Sequence, residues 1–222
     1  MALFNLQLQF NSYDLKIIAL ITMVIDHVGH MFFPEIWILR IIGRIAFILY
    51  AFMLVEGTFY TKNITKYMYR VFLWALFSEI PYDLFNYNDL IFLPRQNIFF
   101  TLWIGLVGIN YFNNHKNEYL KNILASLFFL ALAIFLRVDY SWYGVLLIFV
   151  FYWFRELEIV KYIFAQGIGM FYSVLQTYAF VGFFPILFYN GKQGKKIGTI
   201  YYSFYGLHLL ALYIISKLSQ LF

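Results

Sequence analysis

Residues 15–57 read LKIIALITMVIDHVGHMFFPEIWILRIIGRIAFILYAFMLVEG. Two apolar stretches, each long enough to cross a bilayer, meet here at a short turn around Pro34. Asp26, His27, His30, Arg40, Arg44 and Glu56 lie inside them. A charged side chain at mid-membrane costs roughly 2.5 to 3.5 kcal/mol on insertion scales, so such groups normally face a partner or a wet cavity. Their concentration in one hairpin marks it as half of a candidate active site.

The rest of the chain repeats the pattern. Of 222 residues, 63% are hydrophobic and 12% charged, and the mean hydropathy is +0.73. A soluble domain carries about 25% charged residues. The excess lies in further apolar runs of spanning length. The expected fold is therefore all-α, a polytopic integral membrane helical bundle forming a single domain over residues 1–222. The net charge of +5 sits in loops between the runs and reads as topology rather than nucleic-acid binding. The lack of cysteine excludes a thiol nucleophile, a thiolate metal site and disulfides. The N-terminus lacks the basic region and cleavage site of a signal peptide, so the first apolar run is expected to be retained.

Residues 1–13 are mixed and expected at the interface. Helices are expected over Leu15–Phe33, N-capped by Ser12 or Asp14, over Trp37–Gly57, and over Thr65–Ile80, stopped by Pro81. Others are expected over Asn97–Phe112, Leu120–Leu136, Trp142–Phe154 and Ile200–Leu218. Lys161–Tyr189 is too long for one comfortable span and short for two. With the N-terminus in the cytoplasm, two crossings place Lys192, Lys195 and Lys196 inside with Lys16, Lys62, Lys66 and Arg70, as the positive-inside rule requires. That makes about nine spans, within a range of about eight to ten, and a C-terminus outside.

At about 1.5 Å per residue, Asp26, His27 and His30 fall roughly 17 to 22 Å along the first helix, at or beyond the midplane. Arg40 and Arg44 start the descending helix in the same outer half. Glu79, Asp83, Gln96 and Asn97 collect at the outer ends of the third and fourth helices, while Glu56, Arg70 and Asn190–Lys196 lie toward the cytoplasm.

Thr22, Asp26 and His30 share one helix face, and His30 also follows His27 by three residues. A carboxylate near an imidazole fixes its tautomer and supports it as a general base. The same residues also suit a structural hydrogen-bond network or part of a metal site, but no dense ligand spacing occurs and no metal is expected. Arg40 and Arg44, one turn apart, form a fork for an anionic ligand or an ion pair with Asp26 or Glu79. Glu79 and Asp83 flank Pro81; with Gln96 and Asn97 they suit an amine or hydroxyl substrate, or equally helix capping. The loop containing Asn190 and Lys192 is Gly- and Lys-rich and suits phosphates or topology alone, without Walker A spacing. His208, with Tyr205 one turn before it, reads as a packed, hydrogen-bonded histidine. Buried Asp, His and Arg also build proton relays, so a proton-coupled transporter is the competing function. The lack of an internal repeat stands against it.

The runs IIALITMVIDHVGHMFFPE, LRIIGRIAFILYAFMLVEG, SEIPYDL, QNIFFTL, YNGKQG and YGLHL occur in this order over nearly the whole chain. Together they resemble the TraX family, which includes the membrane protein that acetylates the N-terminus of conjugative pilin, and through it the wider transmembrane acyltransferases. The resemblance implies an enzyme of the bacterial inner membrane with acetyl-CoA as co-substrate. The implied acceptor is an exported peptide, a pilin or a glycan, among membrane lipids and without nucleic acid; the oligomeric state stays open. It assigns His27 to catalysis with support from Asp26, and Arg40 and Arg44 to the donor's anionic or carbonyl groups; Glu79, expected on the same outer side, joins the expected catalytic set. His27 would take the acceptor's proton while Arg44, with Asn97, stabilises the oxyanion. His30, Asp83, Gln96, Glu56, Asn190, Lys192 and His208 complete the expected donor- and substrate-binding set.

Overall fold

A computed structural model describes residues 9–198 and 200–220. Residues 1–8 of the expected interfacial segment lie outside it. Among the described residues the regular structure is helical, with two isolated β-bridges in the connections. Its α-helices are α1 (Ser12–Phe32), α2 (Trp37–Tyr60), α3 (Ile64–Tyr87), α4 (Ile98–Asn114), α5 (Tyr119–Phe135), α6 (Ser141–Trp153), α7 (Glu158–Tyr172), α8 (Phe183–Leu187) and α9 (Ile200–Ser219). A 3-10 helix, Val174–Gly182, precedes α8. By length and composition, α1 and α2 are long and apolar enough to cross a membrane; α5 and α6 are apolar but shorter.

The cap of α1 is Asn11, not Ser12 or Asp14. Its Oδ1 accepts from the N–H groups of Tyr13 (2.9 Å) and Asp14 (3.2 Å), and the Asp14 carboxylate accepts from the Asn11 N–H (2.9 Å). This reciprocal box satisfies three backbone donors that the helix itself cannot. α1 and α2 then pack antiparallel across the Pro34 turn. Two glycines let them close: a Cβ on Gly29 would collide with Leu39, and one on Gly43 with the Asp26 side chain.

α3 runs through Pro81 to Tyr87 instead of stopping at Ile80. Proline removes one helical N–H and crowds the carbonyl four residues back. Burial of Tyr82, Asp83 and Phe85 beyond it holds the last turns against the bundle. The helix ends where Asn88 turns left-handed, at φ 56°.

The long stretch after α6 does pass the bundle twice. α7 ends at the extended residue Ser173, and the chain returns through the 3-10 helix and α8, packed against α7 and α2. Gln166 Nε2 donates to the Thr177 carbonyl (2.8 Å) across this hairpin. The return ends beside the start of α1. Phe10 N–H donates to Phe188 O (2.9 Å), Asn190 N–H to Phe10 O (2.9 Å) and Ser12 N–H to Lys192 O (2.8 Å). The lysine-rich loop and the beginning of α1 thus share one end of the bundle, called the base below; the opposite end is the top.

α6 is the central post. Tyr143, Val145, Leu147, Ile148, Phe149, Val150 and Phe151 are all buried, so it shows no solvent-facing stripe. Helices α2, α4, α5 and α7 surround it, and α9 lies along α3 and touches α1. The outer surface is apolar: Phe77, Leu120, Phe135, Ile159 and Phe171 are each more than two-thirds exposed.

Candidate functional site

A cavity of about 880 Å³ opens among α1, α2, α3 and α9. Its α1 wall extends from Ser12 to His30, roughly 27 Å at about 1.5 Å per residue. The volume lies in the range of small-molecule and cofactor sites. Asp26, His27, His30, Arg40, Arg44 and Glu56 line it, so the α1–α2 hairpin does form much of the wall.

The Asp26 carboxylate belongs to the arginines. Arg44 Nη2 donates to both of its oxygens, each at 2.8 Å, and Arg40 Nη1 lies 3.4 Å from Oδ1. Of the two readings of the arginine fork, the ion pair with Asp26 is the one realised, and Glu79 is not its partner. Arg44 is further tied by Nε to the Arg40 carbonyl (3.1 Å) and by Nη1 to the Tyr140 hydroxyl (3.1 Å). Arg40 reaches only Asp26, through the carboxylate and the backbone carbonyl (3.3 Å). Its Nε and Nη2 have no partner among the described residues.

The expected support of His27 by Asp26 is therefore corrected. Adjacent helical residues diverge by about 100° around the axis, so their side chains face different neighbours. His27 turns to α9 instead, where its Nδ1 lies 2.7 Å from Nε2 of His208. The two rings stack with centroids 4.9 Å apart. His208 is packed and hydrogen-bonded, as its place in the helix suggests, and its partner is His27.

The partners assign the tautomers. His208 Nδ1 lies 2.8 Å from the Phe204 carbonyl, which can only accept, so His208 carries its proton there. Its Nε2 must then accept, and His27 must donate from Nδ1. The bare nitrogen of His27 is Nε2, on a side chain that lines the cavity. That is the arrangement of an oriented general base. No pattern in the sequence joins Asp26-His27 to Tyr205-xx-His208; only the docking of α9 does. His30 is exposed on the rim beside the Phe85 ring.

The other predicted residues hold structure near the ends of the bundle. Glu79 Oε2 accepts from the backbone N–H of Asn97 (3.1 Å) and from its amide. The same amide donates to the Ala75 carbonyl (2.7 Å), while Asn97 Oδ1 caps α4 by accepting from Phe99 N–H (2.9 Å). Every polar atom of the Asn97 side chain is committed. Asp83 accepts from Phe92 N–H (2.8 Å), and Gln96 Nε2 donates to Leu93 O (2.8 Å). At the base, Glu56 pairs with Arg155 through Nε (2.6 Å) and Nη2 (3.1 Å). Asn190 Oδ1 accepts from Lys192 N–H (2.9 Å), and Gly191 and Gln193 are the loop residues lining the cavity.

Sequence reasoning missed Tyr140, whose left-handed backbone (φ 57°) stacks its ring on Phe47 at 4.0 Å and aims its hydroxyl at Arg44. A tyrosine in an expected turn carries no signal for this among the chain's 20 tyrosines.

Comparison with known proteins gives three findings. The family model for the TraX protein matches residues 12–216. A probable fimbrial assembly protein FimC, serogroup H1, of Dichelobacter nodosus is 29% identical over 92% of this chain and 95% of its own length. An uncharacterized protein of Rickettsia prowazekii (strain Madrid E) is 33% identical over 49% of this chain and 40% of its own. No solved structure matches. The family match spans both His27 and His208, and the chain belongs to the TraX family.

Proposed function

We propose that this protein is a polytopic membrane acetyltransferase. It takes acetyl-CoA from the cytoplasm at the base of the cavity and acetylates an amine or hydroxyl presented from the top. The favoured acceptor is the N-terminus of an exported pilin-type peptide. An apolar exterior with charge turned inward supports the membrane setting, and the basal lysine loop supports a cytoplasmic base. The TraX membership and a relative named for fimbrial assembly support the acceptor. The observation that carries the reading is the His27–His208 pair, with His27 Nε2 left bare on a side chain that lines the same cavity as Arg40 and Arg44.

The acceptor nitrogen attacks the thioester carbonyl carbon as His27 Nε2 removes its proton, and the carbonyl electron pair moves to oxygen. Collapse of that oxyanion re-forms the carbonyl, breaks the C–S bond and expels the CoA thiolate, which takes the proton from His27. Both amide hydrogens of Asn97 and all but one N–H of Arg44 are engaged, so the oxyanion falls chiefly to Arg40, with Nε and Nη2 free.

The test is transfer of labelled acetyl from acetyl-CoA to a peptide with a free N-terminal amine, using purified protein in detergent. Wild type is expected to label the peptide and His27→Ala to lose that labelling, with no label on an N-blocked peptide. Folded protein that neither binds nor turns over acetyl-CoA would remove this reading and direct attention to proton-coupled uptake in liposomes.

A further inference from the structure

The basal mouth of the cavity carries positive charge that forms no ion pair among the described residues. Lys16 on α1 and Arg70 on α3 both line it. Neither forms an ion pair among the described residues, whereas Arg40 and Arg44 sit on Asp26, and Arg155 occupies Glu56, the carboxylate lining this end. Both free cations rest on tyrosines instead. Lys16 Nζ lies 5.5 Å from the Tyr201 ring centre, and the Arg70 guanidinium lies 5.4 Å from those of both Tyr67 and Tyr202. Tyr201 and Tyr202 open α9 with rings 5.7 Å apart and 76° between their planes. These three tyrosines also line the cavity.

Two unpaired cations converging on one opening focus a positive potential into it, which low-dielectric walls intensify. Arginine and lysine at such a mouth suit phosphate oxygens, and the flanking tyrosine rings suit a planar base. The loop holding Lys192 was the sequence's candidate for this role, but its lysine is exposed and does not line the cavity.

We infer that Lys16 and Arg70, framed by Tyr67, Tyr201 and Tyr202, form a phosphate site at the basal mouth that takes the nucleotide end of the donor. This rests on the reading of the donor as a phosphorylated thioester carrier, whose acyl arm then runs along α1 toward His27. A phosphate ester could also arrive as a lipid headgroup, so the test separates the two.

Purified protein in neutral detergent is titrated with adenosine 3′,5′-bisphosphate, with adenosine and with short-chain phosphatidylglycerol. The same titrations follow for Arg70→Gln and Lys16→Gln, each accepted only if it elutes and melts as wild type does. Saturable bisphosphate binding is expected, weakened about 10-fold by either variant, as for loss of one charge-assisted contact. Adenosine should bind poorly and phosphatidylglycerol should not compete. In acetyl transfer, both variants should raise KM for acetyl-CoA and leave KM for S-acetylpantetheine, which lacks the phosphates, unchanged. The site is refuted if wild type does not bind the bisphosphate, if neither variant weakens it, or if phosphatidylglycerol displaces it. Bisphosphate binding through Arg70 without acetyl transfer would keep the phosphate site and reject the acetyl reading. Transfer with unaltered KM in both variants would do the reverse.

Discussion

Gly43 of α2 lies directly against the Asp26 carboxylate of α1, with no room for a side chain between them. This close approach lets Arg44, one residue further on, grip both carboxylate oxygens at 2.8 Å. Alanine at position 43 must either push the helices apart or turn Asp26 away from its arginine. Gly43→Ala is expected to lower stability by about 1–3 kcal/mol, the usual cost of overpacking. A thermal melt in detergent measures it, and an unshifted melting temperature would show that the contact is not limiting.

In the proposed reaction His208 acts through His27, as a positioning residue. His208→Ala frees the His27 ring to adopt the wrong tautomer, and acetyl transfer is expected to fall by about 10²-fold or more. Glutamine can accept from His27 Nδ1–H and donate to the Phe204 carbonyl, so His208→Gln should recover part of the rate. Equal loss in both variants would point to packing in place of proton placement.

The two arginines should separate in their effects. Arg44→Ala leaves a buried carboxylate short of its main partner and is expected to cost about 3–5 kcal/mol of stability. Arg40→Ala removes the guanidinium with free donors, so it should melt close to wild type yet lose acetyl transfer. Comparing melts with initial rates decides between them. Full activity in Arg40→Ala would return the oxyanion role to another group.

Glu79 and Asn97 form a helix cap, and substitution there should be felt as stability. Asn97→Ala removes the N-cap of α4, a loss of about 0.5–2 kcal/mol before the other Asn97 contacts are counted. Glu79→Gln should retain transfer within a few-fold, measured on protein of unchanged elution volume. A collapse in rate without a change in melt would restore Glu79 to the chemistry.

The helical hairpin, its inward-facing charges and the double pass after α6 were legible in the sequence, because spanning length and loop lysines are local signals. Pro81 misled because burial of Tyr82, Asp83 and Phe85 outweighs one lost backbone bond. The partner of His27 was illegible for a different reason. Neighbours in sequence diverge around a helix, so Asp26 points to Arg44 while the actual partner comes from α9. Spacing rules do not reach across a bundle.

His27 and His208, the two rings of the pair, are separated by 181 positions in the chain. His27 leaves the ribosome in α1 and His208 in α9, so the bare nitrogen acquires its orientation only after the helices between them have been made. A chain released early carries the first imidazole without its anchor. Competence for the proposed reaction therefore waits on the synthesis of α9.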